Sequence, residues 1–266
     1  MRHTTTLFCI IEQMDSTLLK GLRVLECLAR SGEPRRVTDV ARELELARSN
    51  VHRTLATLVE AGYVDVDPQS HRYTCTLRLF ELGSRVAEGI EVKSAARPFM
   101  QTLGIQTQET VHLAVLRGAE VVYLDKVESP QPVRAYSSVG GRAPAHCVAS
   151  GKALLSALSM DQLASALPGE DLPRWTGRTI PTMQSLKVEL AKIRDRGYAD
   201  NRGEWRADVG GIAASVSEAS GAAVAAIGIS GPIERVTRHH DEFRDAVVAA
   251  AQAISRALGY VHASGS

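Results

Sequence analysis

Thr38-Asp39-Val40-Ala41-Arg42-Glu43-Leu44-Glu45-Leu46-Ala47-Arg48-Ser49-Asn50-Val51-His52-Arg53-Thr54-Leu55-Ala56-Thr57-Leu58-Val59 is the stretch whose reading decides the fold. It holds two helical periodicities separated by a break at Glu45-Leu46-Ala47. Val40, Ala41 and Leu44 predict a short helix with Thr38 as its N-cap. Val51, Leu55 and Leu58 predict a second helix that ends at Ala61-Gly62. At about 100° per residue, Val51, Leu55, Leu58 and Gly62 share one side of that helix. Ser49, Arg53, Ala56 and Glu60 point the opposite way, with His52 and Thr57 on the flanks. Serine and arginine can hydrogen-bond base edges or phosphates, and a small alanine lets a helix approach closely.

Working outward, Leu18, Leu22, Leu25 and Ala29 predict an earlier helix that stops at Ser31-Gly32-Glu33-Pro34. Downstream, Val64 and Val66 alternate with Asp65 and Asp67, Asp67-Pro68-Gln69-Ser70 supplies a turn, and Arg72-Tyr73-Thr74-Cys75 returns. Three helices and a terminal ribbon over residues 15–76 form the pattern of a winged helix-turn-helix. In that arrangement the start of the second helix of the motif enters a major groove. An outward Arg/Ser/His face is more often just solvated, and the charges of this segment balance. Their distribution favours DNA. Arg35 and Arg36 precede the second helix, Arg48 and Arg53 lie on the third, and Arg72 is on the ribbon, where they can displace counterions. The predicted contacts are Arg35, Arg36, Thr38, Arg48, Ser49, Asn50, His52, Arg53, Thr57 and Arg72.

Composition limits the alternatives. Over 266 residues, 31 Lys+Arg nearly cancel 30 Asp+Glu, so any nucleic-acid surface must be local. Apolar residues at 44% and charged residues at 23% suit a folded globular chain long enough for two domains. The four cysteines (Cys9, Cys27, Cys75, Cys147) show no metal or disulfide spacing and fit a reducing, cytoplasmic compartment. No apolar run is long enough for a membrane helix. Residues 1–14 read as a disordered arm or a misannotated start, because Met14 opens a sequence that looks like a second start.

Leu79, Leu82, Val86 and Ile90 put one narrow apolar stripe on a linker helix over 77–91. Such a stripe suits a helix pair or a packed satellite helix. Beyond it, Ala95–Leu103 reads as a helix with Pro98 in its first turn or at a kink. Strands are predicted at Glu109–Leu116, Glu120–Val127 and Val133–Val139, then at 198–201, 209–217 and 222–230. Helices are predicted at 150–158, 160–167, 183–196 and 237–258. Together these make an α+β sandwich over 92–262. Cys147-Val148-Ala149-Ser150-Gly151-Lys152 sets a small-residue turn at a helix start, where free N–H groups and the dipole favour a carboxylate or phosphate. It is not a P-loop, since Ala153 stands where the magnesium-binding hydroxyl belongs, and no cofactor is expected.

Enzyme readings fare poorly. Ser150-Gly151-Lys152 lacks the Ser-x-x-Lys spacing and no Gly-x-Ser-x-Gly elbow exists. His146-Cys147 are sequence neighbours that rarely point at each other, and His239-His240-Asp241 suits an exposed first turn better than a metal site.

Several blocks, in order, resemble the IclR family of bacterial transcription regulators. They are Thr38-Asp39-Val40-Ala41, Leu46-Ala47-Arg48-Ser49-Asn50-Val51-His52-Arg53-Thr54-Leu55-Ala56-Thr57-Leu58 and Gly62-Tyr63-Val64, then Tyr73 to Gly83. Glu109-Thr110-Val111-His112-Leu113-Ala114-Val115-Leu116, Val122 to Ser129, His146 with Gly151-Lys152-Ala153-Leu154-Leu155, and Ile229-Ser230-Gly231-Pro232 extend the likeness over almost all the rest. The resemblance implies an α+β chain with an N-terminal winged helix-turn-helix, a linker helix that helps pair the DNA-binding domains, and a C-terminal GAF-like effector-binding sandwich. Its implied partners are a double-stranded operator, a small organic acid and further copies of the chain, as a dimer or a dimer of dimers. The implied effector residues are His146, Cys147, Ala149, Ser150, Gly151, Asn201, Glu204, Gly211, Gly228 and Ser230. A frequent Asp of the family is Asn201 here, a frequent Cys is Gly211 and one of two Ser is Gly228. That implies a roomier, less acidic pocket that admits an aromatic acid, with Trp205 closing it or buried against the sheet. The competing reading is a small-acid enzyme or sensor module whose winged helix contacts proteins; absence of duplex binding together with turnover would favour it.

Overall fold

The computed structural model describes residues 16–261. The proposed arm at 1–14, Cys9 and the last predicted residue, 262, lie outside them. The chain divides between Gly89 and Ile90 into two compact units.

The first unit holds α1 (Ser16–Ser31), α2 (Val37–Leu44), α3 (Arg48–Glu60), the ribbon β1 (Val64–Val66) and β2 (Tyr73–Cys75), and α4 (Arg78–Glu88). A single core joins Val24, Cys27 and Leu28 of α1, Val40 of α2, Val51 and Leu55 of α3, and Val64 and Tyr73 of the ribbon. The stripe predicted for α1 is not the one that packs: Leu18 and Leu22 are exposed and only Leu25 reaches the core's edge, because the helix turns its Val24-Cys27-Leu28 side inward. The break between α2 and α3 is made by Glu45 in the left-handed region, at φ 55°. Ser31-Gly32 closes α1 as the sequence predicts. Thr38 is not the cap of α2; the helix opens at Val37, and Arg36, extended and without a capping side chain, precedes it. The cause lies one residue earlier. Arg35 exchanges both backbone hydrogen bonds with Tyr73 (2.9 and 2.8 Å), so the chain leaves an extended bridge and turns straight into the helix.

The stripe predicted for one helix over 77–91 is divided. Helix α4 stops at Glu88, and Ile90 is extended (φ −93°, ψ 92°) at the head of α5 (Glu91–Thr107). Ile90 packs against the core of the second unit, while Leu82 and Val86 remain exposed on α4 together with Phe80. Pro98 lies in the body of α5, neither in its first turn nor at its end.

The second unit is a fully antiparallel six-stranded sheet in the order β5-β4-β3-β8-β7-β6. Its strands are β3 (Thr110–Arg117), β4 (Glu120–Val127), β5 (Arg142–Pro144), β6 (Ala199–Arg202), β7 (Val209–Ser217) and β8 (Ala223–Pro232). Alternation sends side chains to two faces. Leu113, Ile212, Ile227 and Ile229 face α5 and the closing helices α9 (Ile233–Arg238) and α10 (His240–Ala257). Ala114, Tyr123, Ala213 and Ala226 face α6 (Ala149–Ser156) and α8 (Met183–Arg196); α7 (Met160–Ala166) packs on the same side.

The strand predicted at Val133–Val139 does not form. Residues 128–141 run as an irregular strap from β4 to β5, and β5 takes the edge of β4 at Glu120–Val122. Three of the strap's carbonyls are satisfied by side chains instead of a ladder. Arg235 donates to Val133 O (2.9 Å), Lys126 Nζ donates to Ser137 O (2.9 Å) and Thr110 Oγ1 reaches Ala135 O (3.5 Å). Arg235 is itself fixed by the buried carboxylate of Glu109, which it grips with two nitrogens.

Candidate functional sites

On α3, Val51 and Leu55 are fully buried, and Arg48, Ser49, His52, Arg53, Ala56 and Thr57 are exposed. The inward and outward sides are those the helical angle predicts. Arg53 Nη2 donates to Asn50 Oδ1 (3.0 Å), which holds the guanidinium along the outer face, and Thr57 Oγ1 donates to Arg53 O (3.1 Å). Thr38 and Arg42 of α2 share one shallow hollow with Arg48. The remaining predicted contacts divide. Arg36 is exposed at the head of α2, whereas Arg35 is committed to Glu43 (2.8 Å) and holds that carboxylate below its usual range. Arg72 donates to Pro34 O (3.1 Å), which ties the ribbon to the turn before α2.

In the second unit a cavity of about 50 Å³ lies between the α6 face of the sheet and the strap. Of the ten residues implied for an effector, Ala149, Ser150, Asn201, Gly211, Gly228 and Ser230 line it. The other four stand behind its wall. Gly151 lets the first turn of α6 pack onto the preceding turn, since a Cβ there would lie 2.5 Å from Ala145 Cα. His146 reaches Pro173 O (3.0 Å), and Glu204 accepts from Lys152 Nζ (2.6 Å) in a buried pair. Burial pushes the Glu204 carboxyl above its ordinary range and Lys152 draws it partly back. Burial, aided by Glu204, pushes the Cys147 thiol up to about 12, so it stays protonated and unsuited to nucleophilic attack.

At Gly228 the missing side chain opens no room for a ligand. A Cβ at Gly228 would lie 2.6 Å from Ala213 Cβ and 2.5 Å from Ile212 O, so the missing side chain accommodates the neighbouring strand rather than a ligand. Drug-sized ligands take roughly 300 Å³ or more, several times the space observed. Asn201 Oδ1 accepts from the N–H groups of Gly203 and Glu204 (3.1 Å each) and so builds the turn after β6. Trp205 lines the cavity, half-buried, with Arg206 stacked 4.7 Å over its ring.

Sequence reasoning missed His112, Tyr123, Tyr136, Ser137 and Arg206. His112 is buried in the cavity wall, its Nε2 2.7 Å from Ser230 Oγ and its Nδ1 3.3 Å from Ser137 Oγ on the strap. Burial, with Lys126 nearby, pulls its pKa down to about 4, so the imidazole is neutral at ordinary pH. Tyr123 packs against it at 4.8 Å, and burial pushes that hydroxyl up to about 12. The available signal was two polar residues at alternate positions of β3, Thr110 and His112, among apolar neighbours. Among the described residues no group of three or more His, Cys, Asp or Glu could hold a metal ion, and no helix is long and apolar enough to cross a membrane.

Comparison with known proteins gives the same two-part division. The family profile described as IclR helix-turn-helix domain matches residues 17–68, and the one described as bacterial transcriptional regulator IclR C-terminal matches residues 84–256. The chain is 33% identical over 248 residues to the HTH-type transcriptional regulator KdgR of Escherichia coli K12, covering 92% of this chain and 93% of that protein. It is 33% identical over 251 residues to the repressor AllR of the same strain, covering 94% and 93%. Among solved structures, the IclR of Thermotoga maritima superposes with a TM-score of 0.76 at 30% identity, covering 93% of this chain and all of that one. An IclR homologue of Microbacterium hydrocarbonoxydans, solved with 4-hydroxybenzoate, superposes with a TM-score of 0.80 at 26% identity, covering 91% and 99%. Helix-turn-helix, antiparallel effector sheet and full-length similarity agree, and the chain belongs to the IclR family of bacterial transcriptional regulators.

Proposed function

We propose that α3 reads the major groove of an operator and that a small organic acid in the cavity of the second unit sets operator affinity. The observation that carries the effector half is the charge of the cavity. The start of α6 and the guanidinium of Arg206 face it, and among the described residues no carboxylate lines it. Free N–H groups, a helix dipole and one cation favour a single anion. The exposed Arg/Ser/His face of α3 supports the DNA half. Ser49, Asn50, His52 and Arg53 are the base-reading candidates, and Arg36, Arg48 and Arg72 grip phosphate. Effector and operator affinities are then linked reciprocally. Exposed Phe80, Leu82 and Val86 on α4 favour pairing with a second copy, as a dimer or a dimer of dimers, and light scattering of the full chain tests this.

The aromatic acid remains the finer reading. The rings of Tyr123, Tyr136 and Trp205 surround the cavity, and a relative binds 4-hydroxybenzoate. Tyr136 is 75% exposed at the cavity's edge. Calorimetry with glyoxylate, pyruvate and benzoate-type acids tests it; tight binding of the first two with none of the third removes the aromatic reading. For DNA, duplexes selected from a random library and a scrambled control are titrated at two salt concentrations. Failure to bind any duplex at low salt, with turnover of a small acid, would replace the regulator mechanism by the enzyme alternative.

A further inference from the structure

We propose that the open end of β7 is a docking slot for one extended, acidic strand of a partner protein. The phase of the ladder carries the argument. β6 covers β7 only from Gly210 to Ala213, opposite Arg202 to Ala199. Side chains already take the outward backbone groups of β6: Arg196 donates to Tyr198 O (2.8 Å), Arg202 N–H donates to Glu204 (3.3 Å) and Arg178 donates to Arg202 O (3.2 Å). Arg202 therefore faces outward, and Ala199 and Asn201 bond Ala213 and Gly211. The same phase points the backbone of Ser215 to the open side, where Ser217 N–H already takes Ser255 Oγ (3.0 Å). No strand of the described residues lies beside Ser215, because the chain enters β6 only after Gly197, whose φ of 78° ends α8. One end of the sheet edge is thus guarded and the other is left with a free N–H and C=O.

The open edge is also recessed. A cleft of about 850 Å³ lies between the end of α8 and α10, walled by Val248 and Ala251. A hollow of about 430 Å³ lies on the α6 side, and Arg194, Gly197 and Ser215 border both spaces. Alternate side chains of one added strand enter the two spaces in turn. The same edge of a second copy carries the same flanking helices, which keep it from reaching Ser215. Arg194, Arg196 and Arg256 stand around the cleft against one carboxylate, Asp195, so the strand that fits is acidic.

The test is calorimetry of the full chain with capped heptapeptides of alternating glutamate and valine, or of alternating lysine and valine. The acidic peptide should bind about tenfold more tightly than the basic one, or better. N-methylation at all glutamates or at all valines gives two further probes. One should lose about tenfold or more and the other stay within about threefold, since only alternate N–H groups of an added strand meet β7. Arg256→Glu, at an exposed position, should narrow the charge preference to within about threefold. Circular dichroism melts check that this variant folds, and the methylated probes decide on the unaltered protein. No binding of the acidic peptide at millimolar concentration overturns the inference, as do equal effects of the two methylations or an unchanged preference in Arg256→Glu. Binding that appears only when the chain is cut after Val261 assigns the slot to the chain's own tail. A peptide-induced fall in mass by light scattering assigns it to a second copy. Either result overturns the partner strand.

Discussion

The reading helix and the cavity are built on opposite plans. On α3 the polar groups stand in solvent on a helix whose apolar side alone holds it to the core. In the cavity wall and behind it the buried polar groups are fixed by one another: His112 by Ser230 and Ser137, Lys152 by Glu204. Exposed recognition groups add little to folding and can be exchanged without unfolding the unit. Covered ones are part of the fold, so specificity and stability change together there.

The strongest way to sharpen that contrast is Lys152→Ala, which strands the buried Glu204 carboxylate and should cost about 3–5 kcal/mol. Denaturant unfolding measures it, and pairing the change with Glu204→Gln should restore much of the loss. A cost typical of a surface site would mean the pair is hydrated. Next is Leu55→Ala on the inner side of α3, a fully buried position, expected to cost about 2–5 kcal/mol in the first unit.

A pH experiment isolates His112. Its native pKa of about 4 lies below the ordinary 6.5 of the unfolded chain, so between those values the unfolded state holds a proton that the native state lacks. Stability from this group is complete above the unfolded value and is lost as pH falls toward the native one, by about 3 kcal/mol in all. The charged and titratable groups facing it are Lys126 and Tyr123. Stability curves of the unaltered protein and His112→Phe should differ in slope within that window. Smallest in stability is Arg53→Ala, within about 0.5 kcal/mol of neutral. It should nonetheless cost roughly 1–3 kcal/mol in operator binding if Arg53 reads a base, and a smaller, sequence-independent amount if it grips phosphate. A large loss of stability in Arg53→Ala would break the contrast.

The same contrast explains what the sequence disclosed. The winged unit is legible because its pattern is local: Val51, Leu55 and Leu58 repeat along one helix, and the turn residues follow in order. Most elements of the second unit were legible for the same reason, down to the bounds of α8 and β7, although β5 was missed and α9 and α10 were read as one helix over 237–258. Cavity composition was legible only in part: the family resemblance supplied Ala149, Ser150, Asn201, Gly211, Gly228 and Ser230, but not His112 or Ser137. His112, Ser137 and Ser230 lie far apart in the chain and meet only through antiparallel register. Gly228 read as empty space until its neighbour across the sheet, Ala213, was known. The strap read as a strand because Val133 to Val139 has strand-like residues, but its hydrogen-bond partners are distant side chains that no local pattern reveals.

The bridge between Arg35 and Tyr73, with Arg72 held to Pro34 and Arg35 to Glu43, has a consequence for how DNA is measured. It rivets the ribbon to the head of α2. If α3 and the ribbon both meet a duplex as proposed, the step from groove contact to wing contact is held to one length, like the gap between two jaws of a calliper. Operators whose phosphates fall out of that phase would have to bend to meet it.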